Sequence, residues 1–124
     1  DKMTESGLVD LIVVDSVAAL VPQAELDGDI TDNVIGGQAR LMSRAMRRLK
    51  GNANKTKTSI VFINQVRQKI GVMYGDPTTT PGGLALKFYA SVRAQVNKGS
   101  KLLEKKEVVG FSPNLSIIKN KCAP

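Results

Sequence analysis

The residue best placed to hold a metal ion is Asp15, which follows the mainly apolar run at residues 8–14. A run rich in Val and Ile predicts a buried strand, whose rigid end can fix the hard oxygen ligand that Mg²⁺ requires. This arrangement is typical of a Walker B element, in which the carboxylate holds a nucleotide-bound magnesium ion, usually through water. Many buried strands also end in an aspartate that caps a helix, so the sequence leaves both interpretations open.

A second polar side chain, Gln65, follows the apolar run at residues 60–63. An amide can hydrogen-bond a phosphate or orient a water molecule, and both actions matter in phosphoryl transfer. In parallel sheets ligands bind just beyond the carboxyl ends of the strands, which is where Gln65 is expected. A strand-end amide that is satisfied by the backbone remains the alternative.

A long basic segment, residues 66–83, leaves directly from Gln65. It carries Arg67 and Lys69 and ends at Gly82 and Gly83. Basic side chains in a flexible loop suit the phosphate backbone of a single-stranded nucleic acid. A plain surface loop is the alternative, although long loops without regular structure are uncommon in compact domains unless they are functional.

Composition narrows the class of protein. The 124 residues carry a formal net charge of +7, which favours a polyanionic partner or, alternatively, a solvated basic surface. One cysteine, Cys122, and no histidine exclude a disulfide framework and a Cys/His zinc site within the chain. We expect Cys122 to be a buried thiol in a reducing compartment, and no apolar run predicts a membrane span.

Hydrophobic periodicity predicts the elements that position these residues. A strand at residues 8–14, a helix at 38–49 followed by Gly51, and a strand at 56–63 form a predicted βαβ unit, with the strands buried on both faces. The remaining predicted elements are a loop at 23–37, a helical turn at 84–89, a strand at 90–96, a basic surface turn at 97–106 and a last strand at 115–118.

Six segments together match a known pattern in order and spacing. They are LIVVDSVAAL at residues 11–20, QARLMS at 38–43, FINQ at 62–65, KIGVM at 69–73, GGLALKFYASVR at 82–93 and KNK at 119–121. Over nearly its whole length the chain resembles the central ATPase core of bacterial RecA recombinases. The resemblance implies a partial core domain across residues 1–124, with an α/β fold of the P-loop NTPase type. Its central sheet would be mostly parallel and flanked by helices.

The resemblance also implies a function for a longer protein, of which we expect this chain to be a piece. That protein would use ATP and Mg²⁺, form helical filaments on single-stranded DNA and pair it with homologous double-stranded DNA. It would act in the cytoplasm, in recombinational repair and the SOS response, with the SOS repressor as a further partner and no membrane association. The piece alone is expected to be inactive, because the family's phosphate loop and catalytic glutamate have no counterpart in it.

Site residues follow from the same resemblance. Asp15 and Ser16 would bind the nucleotide, and Asp15 would hold its Mg²⁺ through water. Gln65 would sense the γ-phosphate and order the second DNA-binding loop, residues 66–83. Lys119 and Lys121 would reach the ATP phosphates of the neighbouring subunit, as arginine fingers do in trans.

The DNA-binding and interface residues complete this set. The resemblance implies DNA contacts by a first loop at residues 25–36 and by six residues elsewhere, namely Arg40, Arg47, Arg67, Lys69, Gly82 and Gly83. Phe88 would lie at the filament interface. The chain departs from the family at Leu84, where a polar or basic residue is usual, and at residues 33–35 and 111–114.

Two other classes of protein remain open at this stage. A hexameric motor with the same type of ATPase core would share the strand that ends at Asp15, but it should lack the block at residues 82–93. A binding module that does not use ATP would need only the basic surface, and a nucleotide requirement for DNA binding would exclude it.

Overall fold

The computed structural model describes residues 1–27, 36–68, 70–71, 73–75 and 77–123, without the side chains of residues 24 and 25. The chain divides into two compact units, Asp1–Tyr89 and Ala90–Pro124. The elements of the first unit are α1 (Lys2–Ser6), β1 (Leu11–Val14), a 3₁₀ turn (Val17–Ala19), α2 (Gln23–Leu26), α3 (Gly37–Thr56), β2 (Ser59–Phe62), β3 (Arg67–Gln68), β4 (Thr78–Thr79) and α4 (Ala85–Tyr89). The second unit contains β5 (Val92–Glu104) and β6 (Glu107–Asn120).

The predicted strand–helix–strand unit is present in the first unit. β1 and β2 pair in parallel, from Leu11 opposite Ser59 to Val14 opposite Phe62, and α3 lies between them in the sequence. The apolar stripe of α3 supplies Met42 and Met46 to a small core, which Val17 and Ala85 complete. The stripe was therefore predicted correctly, because its spacing follows the helical period.

Two details of this unit differ from the prediction. α3 runs past Gly51 to Thr56, because contacts with α1 support its last turns: Asn52 Nδ2 donates to Asp1 Oδ1 at 2.9 Å, and Arg48 forms an ion pair with the same carboxylate at 2.6 Å. The strands are also not buried on both faces. Alternate residues such as Leu11 and Val13 are more than half exposed, because the described core packs against one face only.

The segment at residues 66–83 was predicted to lack regular structure, and this prediction is wrong in part. β3 and β4 form a short antiparallel pair, with Arg67 opposite Thr79 and Gln68 opposite Thr78. The β-branched threonines favour the extended backbone of such a pair. Helix α2 likewise occupies part of the predicted loop at 23–37, while residues 28–35 and Lys69 lie outside the described residues.

The second unit is an antiparallel ribbon of β5 and β6, so the prediction of a mostly parallel sheet holds only for β1 and β2. The two long strands are joined by a tight turn at Lys105 and Lys106, and such a short connection requires antiparallel pairing. The surface turn predicted at 97–106 is mostly strand. Gly99 lies so close to the backbone of Ser112 that the Gly-Ser pair forms an irregularity within the ribbon rather than its end.

Two smaller findings concern Cys122 and the membrane. Cys122 is exposed rather than buried, because it lies beyond the end of β6, where its N–H donates to Asn120 Oδ1 at 2.9 Å. Within the described ranges, no helix combines the length and the apolar character needed to cross a bilayer.

Candidate functional site

The carboxyl ends of β1 and β2 are joined by backbone hydrogen bonds. Ile63 N–H donates to Val14 O at 3.0 Å, and Val17 N–H donates to Ile63 O at 2.9 Å. Asp15 and Gln65 follow these two strand ends, so the parallel pairing brings them to the same edge of the sheet. Asp15 is exposed at this edge, Ser16 is half-buried, and the peptide bond between them is cis.

Val17 connects this edge to α3. Its side chain is fully buried, and its carbonyl oxygen accepts a hydrogen bond from Gln38 Nε2 at 2.9 Å. The same amide nitrogen also donates to Leu20 O at 2.9 Å. The first turn of α3 is therefore tied to the segment that directly follows Asp15.

The structure brings Gln65 and Arg67 together at the start of the second loop. Arg67 Nη2 donates to Gln65 Oε1 at 3.4 Å, a long hydrogen bond between two exposed side chains. The preceding residue, Asn64, accepts the Gln65 N–H at 2.9 Å and donates to Pro81 O at 3.0 Å. The predicted sensor thus contacts a predicted DNA-binding residue directly.

Gly82 and Gly83 end the loop against the core rather than in open solvent. Their φ angles are +84° and +72°, a region that favours glycine. A Cβ on Gly82 would lie 2.9 Å from Val17 Cγ1 and 3.1 Å from Met42 Cγ, and one on Gly83 would lie 2.9 Å from Ala39 Cβ. Both glycines therefore have a packing role, which is separate from the predicted contact of their backbone with DNA.

Arginines line a shallow depression on the exposed face of α3. Arg40, Arg44 and Arg47 surround a space of about 350 Å³, with Ser43 beside them. Arg47 Nε donates to Ser43 O at 3.3 Å, which fixes part of this side chain along the helix. Arg44 was not among the predicted site residues, although its spacing of four and three residues from the other two arginines could have identified it.

In the second unit, three cations lie at one end of the ribbon. Lys119 pairs with Arg93 across the strands, and Lys121 N–H donates to Ser91 O at 2.9 Å. The pKa of Lys119 is lowered by partial desolvation and then by the positive charges of Lys121 and Arg93. Arg93 was not predicted as a site residue, because its position beside Lys119 depends on the ribbon's register.

Asp15 offers a single carboxylate for a metal ion. No cluster of three or more acidic, histidine or cysteine side chains occurs among the residues that the structure describes. One exposed carboxylate at a rigid strand end nevertheless fits Mg²⁺, which commonly takes one or two carboxylates and completes its shell with waters and substrate phosphates.

The comparison with known families decides what kind of chain this is. Residues 1–124 match the family described as the RecA N-terminal domain. The chain belongs to this family. It is 57% identical over its whole length to Protein RecA of Thermotoga neapolitana, covering 35% of that protein. The corresponding values are 55% and 34% for Protein RecA of Lactobacillus johnsonii, and 56% and 37% for that of Mycoplasmopsis pulmonis.

This RecA-family chain thus spans about a third of the length of the curated relatives it matches. The resemblance predicted from the motifs is confirmed, and the mixed α/β character of the fold is confirmed with it. Two of the three departures from the family pattern lie at the surface, and the third, at residues 33–35, falls outside the described residues. Leu84 is 61% exposed directly after the glycine pair, and the exposed ring of Phe111 faces Lys98 Nζ at 5.8 Å from its centroid.

Proposed function

We propose that the full-length protein is an ATP-dependent DNA recombinase with a P-loop NTPase core. It would form filaments on single-stranded DNA and pair it with homologous double-stranded DNA in recombinational repair and the SOS response. The observation that carries this proposal is the hydrogen bond from Ile63 N–H to Val14 O, which joins the strand ends that precede Asp15 and Gln65. Whole-chain identity to proteins named RecA supports it, and favours a recombinase over a hexameric motor.

On the nucleotide side, Asp15 and Ser16 would bind the nucleotide, and the Asp15 carboxylate would hold Mg²⁺ through a water molecule. The metal ion, when bound, neutralises charge on the ATP phosphates. Lys119 and Lys121 would contact the phosphates bound by a neighbouring subunit. A lysine with a lowered pKa is less strongly held in its charged form, and phosphate oxygens would restore that preference.

On the DNA side, Arg40, Arg47, Arg67 and Lys69 would contact phosphates, and the backbone of Gly82 and Gly83 would lie along the strand. Gln65 would couple the two sides. Its side chain already accepts a hydrogen bond from Arg67, so a turn of Gln65 toward a γ-phosphate would release that arginine for DNA. The contact supports coupling because it links the two ligands through one pair of side chains.

Assembly would involve the exposed ring of Phe88 on α4, at the interface between successive subunits of the filament. The assembled filament, rather than the single chain, would then engage the SOS repressor in the cytoplasm. An exposed aromatic side chain is a common anchor in such interfaces.

The replacement Asp15→Asn in the full-length protein tests this proposal. It removes the charge at the metal while keeping the size of the side chain, so DNA-stimulated ATP turnover should fall by about 100-fold or more, a loss of about 2.7 kcal/mol of transition-state stabilisation. Asp10→Asn is the matched control, because Asp10 is an exposed carboxylate just before β1 and should tolerate the change. Turnover near the wild-type value in Asp15→Asn would contradict the proposal.

A further inference from the structure

Asn64 connects the two ends of the second loop. Its Nδ2 donates to Pro81 O at 3.0 Å, across 17 residues of sequence, and its Oδ1 accepts the N–H of Gln65 at 2.9 Å. One half-buried amide therefore uses its donor at the far end of the loop and its acceptor at the near end. We call these two hydrogen bonds the Asn64 clasp.

Both ends of the clasp rest on the same part of the core. At the near end, Ile63 O accepts the N–H of Val17. At the far end, Gly82 follows Pro81 and packs against the Val17 side chain so closely that a Cβ would not fit. Val17 in turn lies two positions after Asp15. The two ends of the loop thus rest on the segment that follows the proposed metal ligand.

The clasp has a consequence for Gln65. Gln65 would turn between a phosphate and Arg67. This movement can reach the far end of the loop only if the two ends of the loop are connected. Without the Asn64 donor, the Pro81 carbonyl loses its partner and the far end can open independently. A loop with free ends must also be ordered when DNA binds, which lowers affinity.

We propose that Asn64 is a positioning residue for the coupling between nucleotide and DNA, and that it acts through the clasp rather than by touching either ligand. This inference rests on the proposed function. In this proposal Gln65 contacts the phosphate, and Asn64 couples the resulting movement of Gln65 to residues 81–83. Nucleotide affinity should therefore be independent of Asn64, while the gain in DNA affinity that nucleotide produces should depend on it.

The experiment uses the full-length protein with the replacements Asn64→Ala and Asn64→Asp. Asn64→Ala removes both hydrogen bonds, whereas Asn64→Asp keeps the acceptor for Gln65 N–H and the side-chain size but removes the donor to Pro81. Asn54→Asp is the matched control, since Asn54 is exposed on the last turns of α3. Gln65→Ala serves as the reference for lost coupling.

Two affinities are measured for each variant. One is for a slowly hydrolysed ATP analogue, and the other is for a single-stranded oligonucleotide with and without that analogue. Both Asn64 variants should bind the analogue within about twofold of wild type, while the analogue-induced gain in DNA affinity falls about tenfold, equivalent to about 1.4 kcal/mol. Asn54→Asp should keep the full gain. If Asn64→Ala does not fold, Asn64→Asp still gives the result, and its retained analogue affinity reports a folded core.

Hydrogen exchange without nucleotide or DNA tests the clasp by itself. The amides of residues 82–84 should exchange faster in Asn64→Asp than in wild type, because the far end opens more often. Unchanged exchange overturns the clasp. A nucleotide-induced gain that persists in Asn64→Asp overturns the positioning role alone. A wild-type protein whose DNA affinity does not rise with nucleotide overturns the proposed function, and the positioning role with it.

Discussion

In the first unit Val17 and Met42 are almost completely excluded from solvent, whereas the large apolar side chains of the β5–β6 ribbon in the second are about half exposed or more. The first unit joins its strand ends, its helix and its loop through one small core. The ribbon is held, within the described residues, mainly by pairing between its own strands. A two-stranded ribbon is marginally stable in water, so we expect its stability to depend on contacts from outside the unit.

The two units therefore differ in what fixes the positions of their functional side chains. Asp15, Gln65 and the glycine pair take their positions from contacts inside the first unit, and small changes in that core should disturb all of them together. Lys119 and Lys121 take theirs from the register of the ribbon, where single side chains matter less. Matched substitutions in the two units test this contrast.

The largest effect is expected for Gly82→Ala. The new Cβ would overlap Val17 and Met42, and alanine is strained at a φ of +84°, so the free energy of unfolding should fall by about 3 kcal/mol. In the ribbon, Gly110→Ala places its Cβ at an ordinary 3.6 Å from Leu102 and should change stability by less than about 1 kcal/mol. Chemical denaturation of the full-length protein measures both values. Equal losses would show that the two units do not differ in packing.

A smaller effect is expected for Val17→Ala. Removing two buried methyl groups costs their transfer free energy and leaves a cavity, together about 2 kcal/mol. The matched replacement Val96→Ala removes the same atoms from a side chain that is 68% exposed, and should cost about 0.5 kcal/mol or less. The same denaturation experiment applies. A costly Val96→Ala would indicate that another part of the full-length protein covers this face of the ribbon.

Much of the first unit could be predicted from sequence because its signals are local. The stripe of α3 and the two apolar runs predicted the βαβ unit. The polar residues that follow the runs identified Asp15 and Gln65 as candidate site residues. The prediction of a turn at Gly99 was wrong. A glycine usually interrupts a strand, but here Gly99 packs against the backbone of the partner strand, which local sequence does not reveal. The Asn64 clasp has no local pattern either, because it joins residues that only the folded loop brings together.

The smallest effect is expected for DNA affinity, and it compares the basic residues of the two units. Arg44 shares its depression on α3 with Arg40 and Arg47, so we expect it to contact a phosphate, whereas Lys101 on the ribbon is a solvated cation. Each contact to a single strand contributes roughly 0.7 to the slope of log affinity against log salt.

Arg44→Ala in the full-length protein should therefore flatten that slope by about 0.7 and weaken binding equally for all sequences, because phosphates carry no sequence information. Lys101→Ala should leave the slope unchanged. The measurement is a salt titration of oligonucleotide affinity with two unrelated sequences. If Arg44→Ala keeps the wild-type slope, Arg44 does not contact a phosphate, and the DNA does not occupy the depression on α3 at that residue. If Lys101→Ala flattens it, the ribbon also belongs to the DNA path, and the contrast between the two units would not extend to charge.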